Sequence, residues 1–121
     1  MSTLFTVSVE QEPDRTTLHA SGEIDMGTVS TLADALDTAQ ESGSAVVVVD
    51  LTEVTFLASA GLAALVAADQ RARTTGGALV VVSPPAGAVH RAITVSSLDR
   101  VLTLAEDAVT ADRQVRERRD T

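Results

Sequence analysis

The chain has no cysteine, no lysine, no tryptophan and no tyrosine, and it has two phenylalanines and three prolines in 121 residues. Without cysteine, disulfides, thiol catalysis and Cys-based zinc sites are excluded. Without lysine, Schiff-base chemistry and any lysine-dependent phosphate loop are excluded. So few aromatic rings leave almost no platform on which unpaired bases could stack. The core must then be built from Leu, Val, Ile and Ala. No apolar run approaches the roughly 18 residues that a membrane span needs. The opening Met1-Ser2-Thr3-Leu4-Phe5 lacks the basic and apolar regions of a signal peptide. The expectation is a soluble cytoplasmic domain.

What is present is acidity and aliphatic bulk. The formal net charge is -8 and the hydrophobic share is 45%. Duplex nucleic acid and anionic membranes are poor partners for such a chain, and a protein with a basic face is a better one. A chain of this length buries roughly two-thirds of its unfolded surface, enough for one core. Residues 1–121 read as one domain, with the core at about 4–115 and 116–121 as a flexible tail.

Leu4, Thr6 and Ser8 alternate with Phe5, Val7 and Val9, as in an edge strand. Glu12-Pro13-Asp14-Arg15 is turn chemistry, and Thr16–Ser21 reads as the second arm of a hairpin. Gly22–Gly27 reads as a loop. Val29, Leu32, Ala33 and Leu36 then mark one face of a helix, capped by Thr28 or Ser30 and ended at Ser42-Gly43-Ser44. The run Val46-Val47-Val48-Val49 predicts a strand buried on both faces. A second loop, Thr52–Ser59, leads into a helix from Ser59 to about Thr74, stopped by Gly76-Gly77. Leu79–Val82 is a short apolar strand, and Pro84-Pro85 opens a helix containing Val89 and Ile93. Val101–Leu104 is a final strand, and Ala105 to about Glu117 an Arg-ended helix whose basic residues complement its C-terminal dipole. Alternating strands and helices predict an α/β fold with a mixed sheet. In open sheets of that kind functional groups gather at the carboxyl ends of strands, which singles out the loops Gly22–Gly27 and Thr52–Ser59.

Ser59 carries two readings. As a helix cap it is worth about 1 kcal/mol. As a phosphoacceptor it would gain roughly -1.5 to -2 charges beside the free N–H groups of a first helical turn. Glu23 and Asp25 read either as solvated charges at a turn or as an acidic contact surface. The histidines, His19 and His90, lack metal-ligand spacing, and no metal site is expected. Ala58-Ser59-Ala60-Gly61 is not a hydrolase elbow, because Leu57 stands where the first glycine belongs. Arg113, Arg116, Arg118 and Arg119 read as a solvated helix end. A small serine hydrolase using Ser59 and His90 is a competing reading, disfavoured by the missing elbow and missing acid. A phosphoacceptor receiver domain is a second, disfavoured by the missing lysine.

Three blocks resemble the STAS domain, the sulfate transporter and anti-sigma factor antagonist domain, in its stand-alone bacterial form. Gly22-Glu23-Ile24-Asp25 is similar to the family's Gly-Glu-Leu-Asp loop. Val46–Leu51 running through Val54, Phe56 and Ser59-Ala60-Gly61-Leu62 resembles its strand, connection and Asp-Ser-Ser/Thr-Gly-Leu helix start. Leu98-Asp99-Arg100-Val101-Leu102 is similar to its strand after the third helix. The resemblance implies a mixed sheet with an N-terminal hairpin and about four helices, mostly on one side. It implies a non-enzymatic, cofactor-free switch that binds an anti-sigma factor with an ATPase-type serine kinase domain and so frees a sigma factor. Phosphorylation of Ser59 would end that binding, and a phosphatase would restore it. Glu23, Asp25, Ala58, Ser59, Gly61 and Leu62 would form the partner-binding surface, with the exposed part of the helix around Leu62 included. Ala58 departs from the family, which has Asp there, and Ala60 replaces its second hydroxyl. A non-phosphorylated scaffold or ligand-sensing STAS module is the alternative that Ala58 suggests.

Overall fold

The structure, a computed structural model, describes residues 5–119; Leu4, the side chain of Arg119 and the last two residues of the expected tail lie outside the described residues. The strands are β1 (Phe5–Glu12), β2 (Arg15–Ile24), β3 (Val46–Leu57), β4 (Ala78–Val82) and β5 (Thr103–Ala105). The helices are α1 (Val29–Glu41), α2 (Ser59–Thr74), α3 (Ala88–Val95) and α4 (Ala108–Arg119). The five strands form one sheet in the order β1-β2-β3-β4-β5. β1 and β2 are an antiparallel hairpin, and every later pairing is parallel.

β3 is central, as its sequence predicts, and the valine run shows why. Val47, Val49 and Leu51 enter the larger core, which also holds Leu32 and Leu36 of α1, Leu65 and Ala68 of α2, and Val89 and Ile93 of α3. Val46 and Val48 face the other way, into a smaller core with Val80, Val82, Ala105, Ala111 and Val115 of β4, β5 and α4. A strand covered on both faces has no solvent side, so its sequence does not alternate. Three helices thus cover one face and α4 covers the other.

Several boundaries differ from the sequence reading. The expected loops at Gly22–Gly27 and Thr52–Ser59 are partly strand: the β2–β3 ladder continues to Glu23↔Phe56 and Ile24↔Leu57, past the last rung with β4 at Asp50↔Val82. Register shifts between His19 and Ser21, and between Gly22 and Glu23, disguise it by breaking the two-residue period. Gly22 sits at φ 113, a conformation that favours glycine. Leu98–Arg100 is a 3-10 turn rather than the strand that its resemblance suggested, and β5 begins at Thr103. α3 begins at Ala88, after a turn, instead of at Pro84-Pro85. α4 starts at Ala108, where the Asp107 carboxylate accepts the Thr110 N–H at 2.8 Å. That bond holds the Asp107 carboxyl below its usual range.

Candidate functional site

β2 and β3 end side by side, and two loops leave from that end. Ala58 follows β3 and donates its N–H to the Ile24 carbonyl at 2.9 Å. It also occupies the cap position of α2, with extended backbone at φ -80 and ψ 167, and its carbonyl accepts the N–H groups of Gly61 and Leu62. Ala58 has no side-chain acceptor, so no side chain caps this helix. Ser59 is the first helical residue, one place too late to be the cap. It is exposed, and its hydroxyl has no hydrogen bond among the described residues. The capping reading of Ser59 is therefore overturned.

The first turn of α2 is pressed onto the ladder's end. A Cβ on Gly61 would lie 2.5 Å from Leu57 Cδ1 and 2.7 Å from Ile24 Cγ2. Only a glycine permits that approach. Gly61 and Leu62 are both buried, and Leu62 belongs to the main core. Leu62 itself is not on the exposed part of the helix, which here consists of Ser59 and Ala63 with Ala60 partly exposed. Gly61 and Leu62 fix where Ser59 sits and present nothing to a partner.

Asp25 sits one residue past the end of β2, as Ala58 sits one past β3. Its Oδ1 accepts the N–H groups of Gly27 at 2.9 Å and Thr28 at 3.1 Å. The Asp25 N–H donates to the Thr28 hydroxyl at 2.9 Å, and that hydroxyl donates to the Glu23 carbonyl at 2.8 Å. Asp25 and Thr28 thus close the turn into α1, with Thr28 at the cap position but making no cap bond of its own. Asp25 has a structural task that the sequence reading did not give it. The Glu23 side chain is exposed and among the described residues makes no hydrogen bond, while Ile24 between them is fully buried. Sequence reasoning also passed over two exposed apolar side chains here, Phe56 and Met26, at 48% and 80% exposure. Phe56 falls two residues after Val54, the spacing of one strand face, so the local pattern predicted it buried and gave no signal of its exposure.

The histidines lie elsewhere. His19 bridges Glu10 at 3.0 Å and Asp50 at 3.3 Å across three strands. The Glu10 bond above all, and then Asp50, raise its pKa above the ordinary 6.5. His90 faces the Ser83 hydroxyl at 3.5 Å and makes no bond to Ser59. Among the described residues no acidic and histidine cluster suits a metal ion, and no helix is long and apolar enough to cross a membrane.

Residues 7–105 match the family described as Mlab, STAS domain, so this chain belongs to the STAS domain family. Its fold is similar to that of an anti-sigma factor antagonist from Mycobacterium paratuberculosis, at 31% identity and TM-score 0.85, covering 93% of this chain and 94% of that one. It is also similar in fold to the anti-sigma factor antagonist SpoIIAA in its unphosphorylated form, at 17% identity and TM-score 0.75, covering 93% and 97% of the two chains. The phosphorylated form of that Bacillus cell fate determinant matches at 15% identity and TM-score 0.67, covering 89% and 98%.

Proposed function

We propose that this protein is an anti-sigma factor antagonist whose binding is switched by phosphorylation of Ser59. Its partner is an anti-sigma factor with an ATPase-type serine kinase domain, and sequestering that partner frees a sigma factor. The chain itself performs no catalysis and needs no cofactor; Mg-ATP belongs to the kinase, and a phosphatase reverses the modification. The work is done in the cytoplasm. The observation that carries this reading is the Ser59 hydroxyl: exposed, unbonded and held at a helix start beside the Glu23–Asp25 loop. The family membership and the antagonists of similar fold support it.

The chemistry follows from that position. The first turn of α2 contains no acidic side chain, so nothing there competes with a phosphate for the free N–H groups. A phosphate can therefore sit on Ser59 without unfolding the helix. Its effect falls on the interface, where it adds bulk and a charge that must shed water on docking. Glu23 and Asp25 on the adjoining loop add like-charge repulsion.

Ala58 favours a second reading, a STAS module that binds its partner without being phosphorylated, because no carboxylate precedes the serine. One experiment separates the two. Incubation with the cognate kinase and ATP, followed by peptide mass spectrometry, is expected to place phosphate on Ser59, with none on the Ser59→Ala variant. Stable complex formation without phosphate transfer would favour the second reading. The hydrolase reading gains no support, since among the described residues the His90 ring makes no bond to Ser59 and its side-chain neighbour is the Ser83 hydroxyl at 3.5 Å.

A further inference from the structure

Residues 20–70 contain eight of the chain's 17 carboxylates and no arginine, lysine or histidine. The rest of the chain holds nine carboxylates and nine arginines, so the whole formal charge of -8 arises in this one stretch. Part of it is neutralised locally. Asp37 pairs with Arg71, Asp69 with Arg73, and Asp50 with His19. Among the described residues no ion pair reaches Glu23, Asp25 or Glu53, which lie at the carboxyl ends of β2 and β3. Among the described residues, five carboxylates of the stretch are left without an ion pair; Asp34 and Glu41 lie on α1, and the other three gather at the end of the sheet from which Ser59 leaves.

Phe56 and Met26 stand at that end of the sheet. Phe56 is the ladder partner of Glu23, follows Glu53 by three residues and precedes Ser59 by three. Met26 is in the turn two residues beyond β2. Among the described residues the other large apolar side chains left exposed are Val9, Val95, Val101 and Val109, which belong to other elements. Docked interfaces concentrate their affinity in a few desolvated aromatic or flexible apolar anchors surrounded by a polar rim.

We infer that Phe56 and Met26 are the anchors of the partner interface and that Glu23 and Glu53 are its rim, so the partner presents an apolar pocket bordered by arginine or lysine. This rests on the antagonist reading above. It also explains how phosphate can break a complex in which the partner's border is basic. The rim lies in water and steers association. Ser59 follows Phe56 by three residues at the same end of the sheet, in the part that must become dry on this reading. A phosphate there has to be desolvated without a partner cation placed for it, and the anchors cannot seat.

The test uses the full chain and, as probes, the anti-sigma factors with ATPase-type kinase domains encoded in the same genome, each purified in its ADP-bound form. Association and dissociation rates are measured at low and high salt. Phe56→Ala and Met26→Ala are each expected to speed dissociation by about tenfold while leaving association almost unchanged. The double variant Glu23→Gln with Glu53→Gln is expected to slow association several-fold and to flatten its salt dependence. Val9→Ala, an exposed valine on β1, serves as the control and is expected to bind like wild type. Thermal midpoints verify that each variant is folded; Phe56 and Met26 are exposed enough that truncation removes little core packing. Wild-type binding with unaltered rates in the Phe56, Met26 and Glu variants overturns this inference and leaves the antagonist reading standing. A wild-type chain that binds none of these kinases overturns both.

Discussion

Replacing Gly61 with alanine tests how the phosphoacceptor is held. The new Cβ would lie 2.5 Å from Leu57 Cδ1 and 2.7 Å from Ile24 Cγ2. Carbon atoms in contact prefer about 3.5–4.0 Å, so roughly 1 Å must be found. Leu57 can swing its terminal methyl aside. Ile24 cannot, because Cγ2 is attached directly to Cβ of a β-branched side chain that is fully buried. The first turn of α2 must lift off the ladder instead. Overpacking of this kind costs about 1–3 kcal/mol. Alanine regains about 0.5–1 kcal/mol over glycine within a helix. Because the Ile24 branch cannot give way, the upper half of that cost applies, and the net expectation is a loss of about 1–2.5 kcal/mol, or about 4–10 °C in thermal midpoint for a domain of this size. Urea unfolding followed by circular dichroism should show a lower midpoint with an unchanged slope. Adding Ile24→Leu removes the offending branch at nearly constant volume, so the double variant should recover part of the loss as a measurable coupling. A Gly61→Ala protein as stable as wild type, or more so, would refute the close approach from which the placement of Ser59 is argued.

Ser59→Ala should leave stability within about 0.5 kcal/mol of wild type, half the usual value of a lost cap, because the hydroxyl caps nothing; denaturant midpoints check this beside the phosphorylation assay. Asp25→Ala should cost about 1 kcal/mol by orphaning two backbone donors, while Asp25→Asn, which keeps the accepting oxygen, should unfold like wild type and bind a basic partner less well; equal midpoints for both would mean that the turn does not depend on that oxygen. His19 has a raised pKa in the folded state, so its contribution is complete below its unfolded pKa near 6.5 and is lost as pH rises through the higher folded value. The urea midpoint should therefore fall as pH rises across that window, and His19→Gln should flatten the fall; an identical profile in the variant would exclude the bridge to Glu10 and Asp50 as its source.

The parts of this fold that were legible in the sequence are those where a local pattern and the tertiary environment agree. Four consecutive valines predicted a doubly covered strand, and β3 is central. Gly76 ends α2 at φ 82, as its position after the apolar run suggested. The site was less legible, for three physical reasons. Bulges near Gly22 hid the ends of β2 and β3 by breaking the period on which strand recognition depends. A serine at a helix start carries the same one-letter signal whether it is the cap or the residue after it. Only the backbone of Ala58 decides between them. Burial of Gly61 and Leu62 depends on Ile24, some 40 residues away in sequence, and no local window contains that contact. Asp25 shows the same blindness in the opposite direction, because a solvated acid and an acid that closes a turn look alike until Thr28 is placed beside it.

The sheet separates two cores of very unequal size. The smaller is closed by α4 alone, chiefly through Ala111 and Val115. α4 has few apolar residues to bury, and its attachment is reinforced from outside by Arg15. That guanidinium reaches Asp112 at 2.7 Å and Asp14 at 2.9 Å, which pins the helix to the hairpin turn. Cooperative units with little buried area open before the whole molecule does. In hydrogen–deuterium exchange, the amides of α4 should therefore exchange by a sub-global opening, while those of β3 wait for complete unfolding. Cutting the Arg15 pin should widen the gap between the two rates. Such an opening would bare the Val46, Val48, Val80 and Val82 face of the sheet and leave the Ser59 surface on the opposite core undisturbed.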